Sequence, residues 1–220
     1  MAVLYTDSRQ QAGKHDIKNE WWALHGVSTI VRKLDFGDYM TDGSNISVDT
    51  KRNIDEIAKN INGREHDRFK RECIRARDAG YLLIILVENT EGVLAVDELR
   101  DWINGHCRAC VHFRTSQCDP RDSGEKCRKH GTRKPIQGER LARAMSTMSE
   151  RYGVRFEFCP PSDAARRICC TLGISYNNLC CDCYRFDNGK CLPAIGMEVI
   201  QGPAVKCDGN DVMCDWGCPF

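Results

Sequence analysis

No stretch of the 220 residues approaches the roughly 18 consecutive apolar positions that a membrane span requires. The opening Met1-Ala2-Val3-Leu4-Tyr5-Thr6-Asp7 has neither the basic nor the apolar region of an export signal, so an unexported chain with no membrane partner is expected. An excess of one charge is also missing: 32 Lys and Arg face 31 Asp and Glu, a formal net charge of +1, which says nothing about partners. With 41% hydrophobic residues, these absences exclude collagen, coiled coil, membrane protein and long disordered chain. The length suits one medium domain with small appendages.

Cysteine, by contrast, is abundant, at 15 residues. An odd number, no export signal and a chain too large to be a tiny scaffold argue against a disulfide framework. Metal binding in the cytoplasm or another reducing intracellular compartment is expected instead. Only Cys73 precedes Cys107; the others fall around 107–127, at 159–170 and at 180–218.

Between these clusters the chain alternates strands and helices. Ala2–Thr6 is a short apolar strand ending in Asp7-Ser8-Arg9. Residues 14–25 are helical, with Trp21, Trp22 and Leu24 and a stop at Gly26. Val27–Lys33 alternates as a strand. Leu34–Met40 and Ile46–Lys51 flank the turn Thr41-Asp42-Gly43-Ser44 and predict a hairpin. A helix from Ile54 carries Ile54, Ile57, Ala58 and Ile61 on one face up to Gly63, and Arg64–Ala79 forms a second helix closed by Gly80. Tyr81–Val87, apolar on both faces, reads as a central strand between helix layers. Leu141, Met145, Met148 and Tyr152 recur at helical spacing, Val154, Phe156 and Phe158 alternate, and Ser162 is placed to cap a last helix with Ile168 and Leu172 inward. Cys159, Cys169 and Cys170 sit on these core-like segments as small hydrophobes. Together the elements predict a three-layer α/β domain.

The hairpin carries the candidate chemistry. Along its second strand Ser47, Asp49 and Lys51 share one face, and Ile46, Val48 and Thr50 the other. If the latter face packs into the core, a carboxylate and an ammonium project together toward solvent or substrate. Asp38 on the opposing strand is near enough to share a cation with Asp49; Asp7 can reach the same edge, and Asp55 opens the next helix. Phosphodiester hydrolysis needs such a set. Two carboxylates hold Mg²⁺ (or Mn²⁺), and a nearby Lys orients water or stabilises developing charge. Spacing alone favours the plainer reading of a turn Asp and a surface Asp–Lys pair. His15, His25 and His66 read as structural or surface groups.

Taken in order, YTDSR, LDFGDYM and VDTKRNID resemble the XPF-type branch of the PD-(D/E)xK nucleases, whose motif reads GD, then ERKxxxD. The matching residues are Gly37-Asp38, then Asp49-Thr50-Lys51, then Asp55, with Asp7 and Arg9 at the upstream Asp-x-Arg. The helix around Arg68-Phe69 and the strand LLIILVEN match the segments that follow. Residues 3–90 carry the resemblance well, and 138–173 complete the same domain. Asp49 stands where the family has Glu, and Thr50 where it has Arg, so that any role of this Arg is absent or supplied by Arg52. No paired helix-hairpin-helix segment, which members use to dimerise and grip DNA, follows the core.

The resemblance implies a restriction-endonuclease-like α/β core with a central mixed sheet over 1–173, in which Asp38 and Asp49 bind metal, Lys51 handles water, and Asp7 and Asp55 support the site. It implies a Mg²⁺-dependent endonuclease for branched or flapped DNA in repair or recombination. A catalytically inactive zinc-containing DNA-binding or adaptor protein is the alternative, with a junction-resolving or duplex-end nuclease as a third.

Two Cys-rich modules interrupt and follow this core, at 105–134 and 174–220. Cys107-x2-Cys110-x7-Cys118 repeats as Cys180-x2-Cys183-x7-Cys191, with Phe113 and Phe186 three residues after each second Cys and Cys127 and Cys207 following. Each four-Cys set fits a structural Zn²⁺, about two per chain, the second set less firmly because Cys181, Cys214 and Cys218 compete. Residues 107–134 hold eight Lys and Arg against three acidic residues, which makes Arg128 and Lys129 candidate DNA contacts beside Arg9, Arg52 and Arg68. Arg64, Arg68, Lys70, Arg71, Arg75 and Arg77 crowd one helix, fit either for phosphates or for a solvated face paired with Glu65, Asp67 and Glu72. From 173 onward three basic residues face six acidic ones, which suits a homodimer or other protein contact better than DNA.

Overall fold

A computed structural model describes residues 2–10, 13–121, 126–127, 129, 131 and 134–177, and beyond them only the backbone of three short strands. In chain order the elements are β1 (Leu4–Asp7), α1 (Asp16–Leu24), β2 (Thr29–Arg32), β3 (Tyr39–Met40), β4 (Ile46–Lys51), α2 (Ile54–Asn62), α3 (His66–Asp78) and β5 (Leu82–Glu88). A 3-10 turn at Asp97–Asp101 leads to α4 (Gly105–Arg108) and α5 (Val111–Arg114). Then come α6 (Gly138–Tyr152), β6 (Arg155–Cys159), a second 3-10 turn at Pro161–Asp163 and α7 (Ala164–Leu172). The short strands β7 (Phe186–Asp187), β8 (Lys190–Cys191) and β9 (Ile200–Gln201) make a separate antiparallel sheet.

The main sheet has six strands in the order β2-β1-β3-β4-β5-β6. It is mixed: β3 runs antiparallel to both neighbours, and the other pairs are parallel. Strand β5 lies within it, and its run of branched aliphatics is consumed by two cores. Leu83, Ile85 and Val87 pack with α2, α3 and α6 through Ile57, Phe69 and Leu141. Ile84 and Leu86 pack on the opposite face with Trp22 of α1 and Ile168 of α7. The three-layer α/β expectation is met, and the reason is this double burial. The Lys18–Glu88 ion pair at 2.5 Å, buried on both sides, ties α1 to the end of β5.

Three local expectations are corrected. Strand β2 does not alternate, because it forms an edge of the sheet and all four residues are exposed. The first arm of the hairpin shrinks to Tyr39–Met40, since Leu34–Asp38 leaves the ladder at Gly37, where φ is +61°. Ser162 does not cap the last helix; it lies in the 3-10 turn, and Asp163 precedes α7 with no side-chain cap bond. Cys159 and Cys169 are buried as expected, whereas Cys170 is exposed. Among the described residues no helix is long and apolar enough to cross a membrane.

Candidate active site

Sheet register brings the acidic residues together. Thr6 of β1 faces Tyr39 of β3, and Tyr39 faces Val48 of β4. One step toward the carboxyl ends of β1 and β4 lie Asp7 and Asp49, with Asp38 between them. The Asp7 N–H donates to the Asp38 carbonyl at 2.9 Å, and the Asp38 N–H donates to the Val48 carbonyl at 2.8 Å. Gly37 permits this arrangement twice over. Its positive φ turns the chain, and a Cβ there would stand 2.8 Å from the Val48 carbonyl oxygen and 2.5 Å from Ser47 Oγ.

Alternation holds on β4, but its consequence differs from the expectation. Val48 joins the α1–α7 core, so Asp49 and Lys51 point to the other face, toward α2 and α3. That face is covered as well: Asp49 is 7% exposed, and the Lys51 side chain only 12%. The pair therefore sits at the floor of a cleft. Lys51 Nζ donates to Asp49 Oδ2 at 2.6 Å and lies 5.5 Å from the centre of the Phe69 ring. Burial pushes the Asp49 carboxyl up to about 7, with Lys51 pulling it down and the charges of Asp38 and Glu72 adding to the rise. Burial works against the Lys51 ammonium, yet the charge and hydrogen bond of Asp49 outweigh it and raise the lysine above its ordinary value.

Two adjoining clefts of about 410 Å³ each share Arg9, Asp38, Asp49, Lys51, Arg68 and Glu72 in their walls. His15 and Glu56 are among the further residues of the first, and Asp7, Arg71 and Arg75 among those of the second. Asp7 is buried and gripped by Arg9, whose Nε lies 2.9 Å from its Oδ2. Burial raises the Asp7 carboxyl, but the hydrogen bonds and charge of Arg9 win and hold it below the usual carboxylate range. Arg9 also reaches the Leu34 carbonyl at 2.6 Å, so it is committed to the wall of the cleft.

Asp55 is not brought into these clefts. Its Oδ1 accepts the Gly105 N–H at 2.8 Å and its Oδ2 lies 3.8 Å from Arg108, so it fastens the start of the Cys-rich insert to α2. Arg52 and Arg68 line the first cleft with largely exposed side chains, and Lys129 is exposed. Arg128 lies outside the described residues, as do Cys180, Cys183 and Cys207; for Cys191 only the backbone is described.

In the insert Cys107 is buried, and the Cys110 N–H closes a turn on the Cys107 carbonyl at 2.9 Å. Burial raises the Cys107 thiol, a hydrogen bond from Gln137 lowers it, and the charges of Cys127, Cys118 and Cys110 raise it further. Among the described residues, however, no three His, Cys, Asp or Glu side chains are gathered as a metal ion would require. The acidic floor of the cleft offers two carboxylates, Asp38 and Asp49. That donor set suits Mg²⁺, which is commonly held by one or two carboxylates and keeps several waters.

Sequence reasoning did not place Glu72, Gln10 or His15 at the cleft. Glu72 is one turn beyond Arg68 on α3, a spacing that puts both on one face; the inward Phe69 beside Arg68 was the available signal. Gln10 Nε2 donates to the Asp38 carbonyl at 3.0 Å. His15, expected to be structural or superficial, is buried against Tyr39 with Nδ1 2.6 Å from the phenol oxygen. Neither had a local signal, because each meets its partner across more than twenty positions of sequence.

No protein-family model matches the sequence, and no curated protein does. Among solved structures the chain is similar to XPF from Aeropyrum pernix, with 19% identity and a TM-score of 0.45, over 76% of this chain and 61% of that one. It is also similar to XPF from Aeropyrum pernix in complex with DNA, with 19% identity and a TM-score of 0.46, over 79% of this chain and 64% of that one. The chain thus spans less than two thirds of either.

Proposed function

We propose that the chain is a divalent-metal-dependent DNA endonuclease acting on branched or flapped DNA. The observation that carries this reading is the joining of Asp38, Asp49 and Lys51 in the wall of one cleft by the register of β1, β3 and β4. Asp38 and Asp49 would hold Mg²⁺. When bound, such an ion supplies Lewis acidity toward a phosphoryl oxygen and lowers the pKa of a bound water.

The remaining work falls to the chain. Lys51 keeps an ammonium at the floor, where it orients water and offsets charge developing on the phosphate. Arg9 holds Asp7 and the Leu34 carbonyl, which fixes the loop leading to Gly37-Asp38. Arg52, Arg68, Arg71 and Arg75, lining the clefts around the acidic floor, suit the phosphates of a DNA strand. Asp55, bonded to Gly105, serves as the anchor of the insert. Zinc in the insert rests on the spacing of Cys107, Cys110, Cys118 and Cys127 alone, since their thiols are not gathered as a metal site among the described residues; elemental analysis without zinc would overturn it.

The test compares linear, flapped and four-way DNA, with Mg²⁺ or with chelator. Wild type should cleave the flapped substrate only with Mg²⁺. Asp49→Ala, Lys51→Ala and Lys51→Arg should each lose at least about two orders of magnitude in rate, while the fold is retained by circular dichroism. Cleavage that persists in Asp49→Ala, or is absent on every DNA, would sink the reading and favour a DNA-binding adaptor.

A further inference from the structure

Asp38 is the one member of the acidic row whose carboxylate makes no ion pair to a cationic side chain among the described residues: Asp7 is held by Arg9 and Asp49 by Lys51. Something else must orient it. Its Oδ2 accepts two hydrogen bonds, both from Thr50. The Thr50 N–H lies at 3.0 Å, and the Thr50 hydroxyl at 2.6 Å. Its Oδ1 accepts none among the described residues. The N–H is one that the two-residue β3 does not reach, so the carboxylate closes the end of the ladder in place of a carbonyl. The hydroxyl is a second, separate device. Thr50 is 1% exposed, and packing alone would be served equally by Val.

We propose that Thr50 is the positioning residue of the metal site, fixing the Asp38 carboxylate through Oδ2 so that Oδ1 stays free for the cation. The proposal rests on the metal-dependent reading given above and adds to it which residue orients the ligand. Thr50 stands where the XPF-type motif has Arg. Arg52 does not take that place at Asp38: its N–H donates to Glu56 Oε2 at 2.8 Å and its guanidinium lies 3.6 Å from the same carboxylate. A short neutral hydroxyl adds no positive charge beside Asp38, as an arginine would, and so preserves its attraction for a cation.

The test uses the intact chain and Mn²⁺ alone, with free Mn²⁺ counted by electron paramagnetic resonance. Thr50→Val removes only the hydroxyl and should weaken Mn²⁺ binding about 10- to 100-fold, in the range measured for residues that orient metal ligands. Thr50→Ser should restore binding to within about threefold of wild type, since it keeps the donor. In the cleavage assay the Mg²⁺ concentration for half-maximal rate should rise in Thr50→Val, with the rate at saturation nearly unchanged. Equal Mn²⁺ affinity in Thr50→Val and wild type overturns the proposal, as does an equal loss in Thr50→Ser and Thr50→Val. A wild type that binds no Mn²⁺ overturns the metal-dependent reading itself, a result distinct from either. Should Thr50→Val fail to fold, Thr50→Ala reads the same loss of hydroxyl with no extra methyl group to accommodate.

Discussion

A buried imidazole beside the acidic row makes the clearest pH signature. His15 is 4% exposed, and burial lowers its pKa from 6.5 to about 4; the charge of Asp38 opposes the shift and those of Lys18 and Lys14 add to it. The sign follows from proton uptake. Below about pH 6.5 the unfolded chain protonates this residue, while the folded chain refuses the proton until about pH 4. Stability is therefore lost as pH falls through that window, by on the order of 2 kcal/mol from this group. His15→Gln keeps a partner for Tyr39 and cannot titrate. Urea unfolding at about pH 5 and about pH 7.5 should show a smaller drop for the variant than for wild type. Equal drops would place the acid sensitivity elsewhere.

Elements set the site through their ends. Helix α2 is capped by Asn53, whose side chain accepts the Glu56 N–H at 2.8 Å, and this cap stands two residues after Lys51. The loop before β3 does the other half, and Gly37 is its weak point. Gly37→Ala would demand a positive φ from an L side chain and drive its methyl into Ser47 Oγ and the Val48 carbonyl. We expect a loss of about 2–4 kcal/mol in chemical unfolding, from backbone strain and overlap together. Cleavage should fall as well, because Asp38 is displaced with its neighbour. A variant within about 0.5 kcal/mol of wild type would show that the loop relaxes freely. The β2 edge illustrates the same principle in reverse: Ile30 and Val31 are exposed there, since the sheet ends and nothing described covers them.

Over the whole molecule, a formal charge of +1 conceals a local concentration of arginines around the clefts. If DNA phosphates lie against α3, binding should weaken steeply with salt, and Arg71→Glu or Arg75→Glu should each flatten the slope of log affinity against log salt by about one. An unchanged slope assigns these residues to the solvated face that their spacing with Glu65 and Glu72 also describes. How much of this was legible without coordinates follows from distance along the chain. The helical spacing of Ile54, Ile57, Ala58 and Ile61, the apolar run of β5 and the shared face of Asp49 and Lys51 were determined by the sequence alone, because each depends on residues within a turn or a strand. The acidic row was legible only through its resemblance to a motif, since spacing did not distinguish it from a surface pair. Tertiary structure decided the rest. Lys51 is covered because α3 packs over it, Asp55 turns away because Gly105, fifty positions later, offers it an N–H, and Thr50 meets Asp38 across the ladder from twelve positions away. Burial and pairing of this kind are properties of how strands and helices meet, and local pattern carries no record of which distant group will arrive.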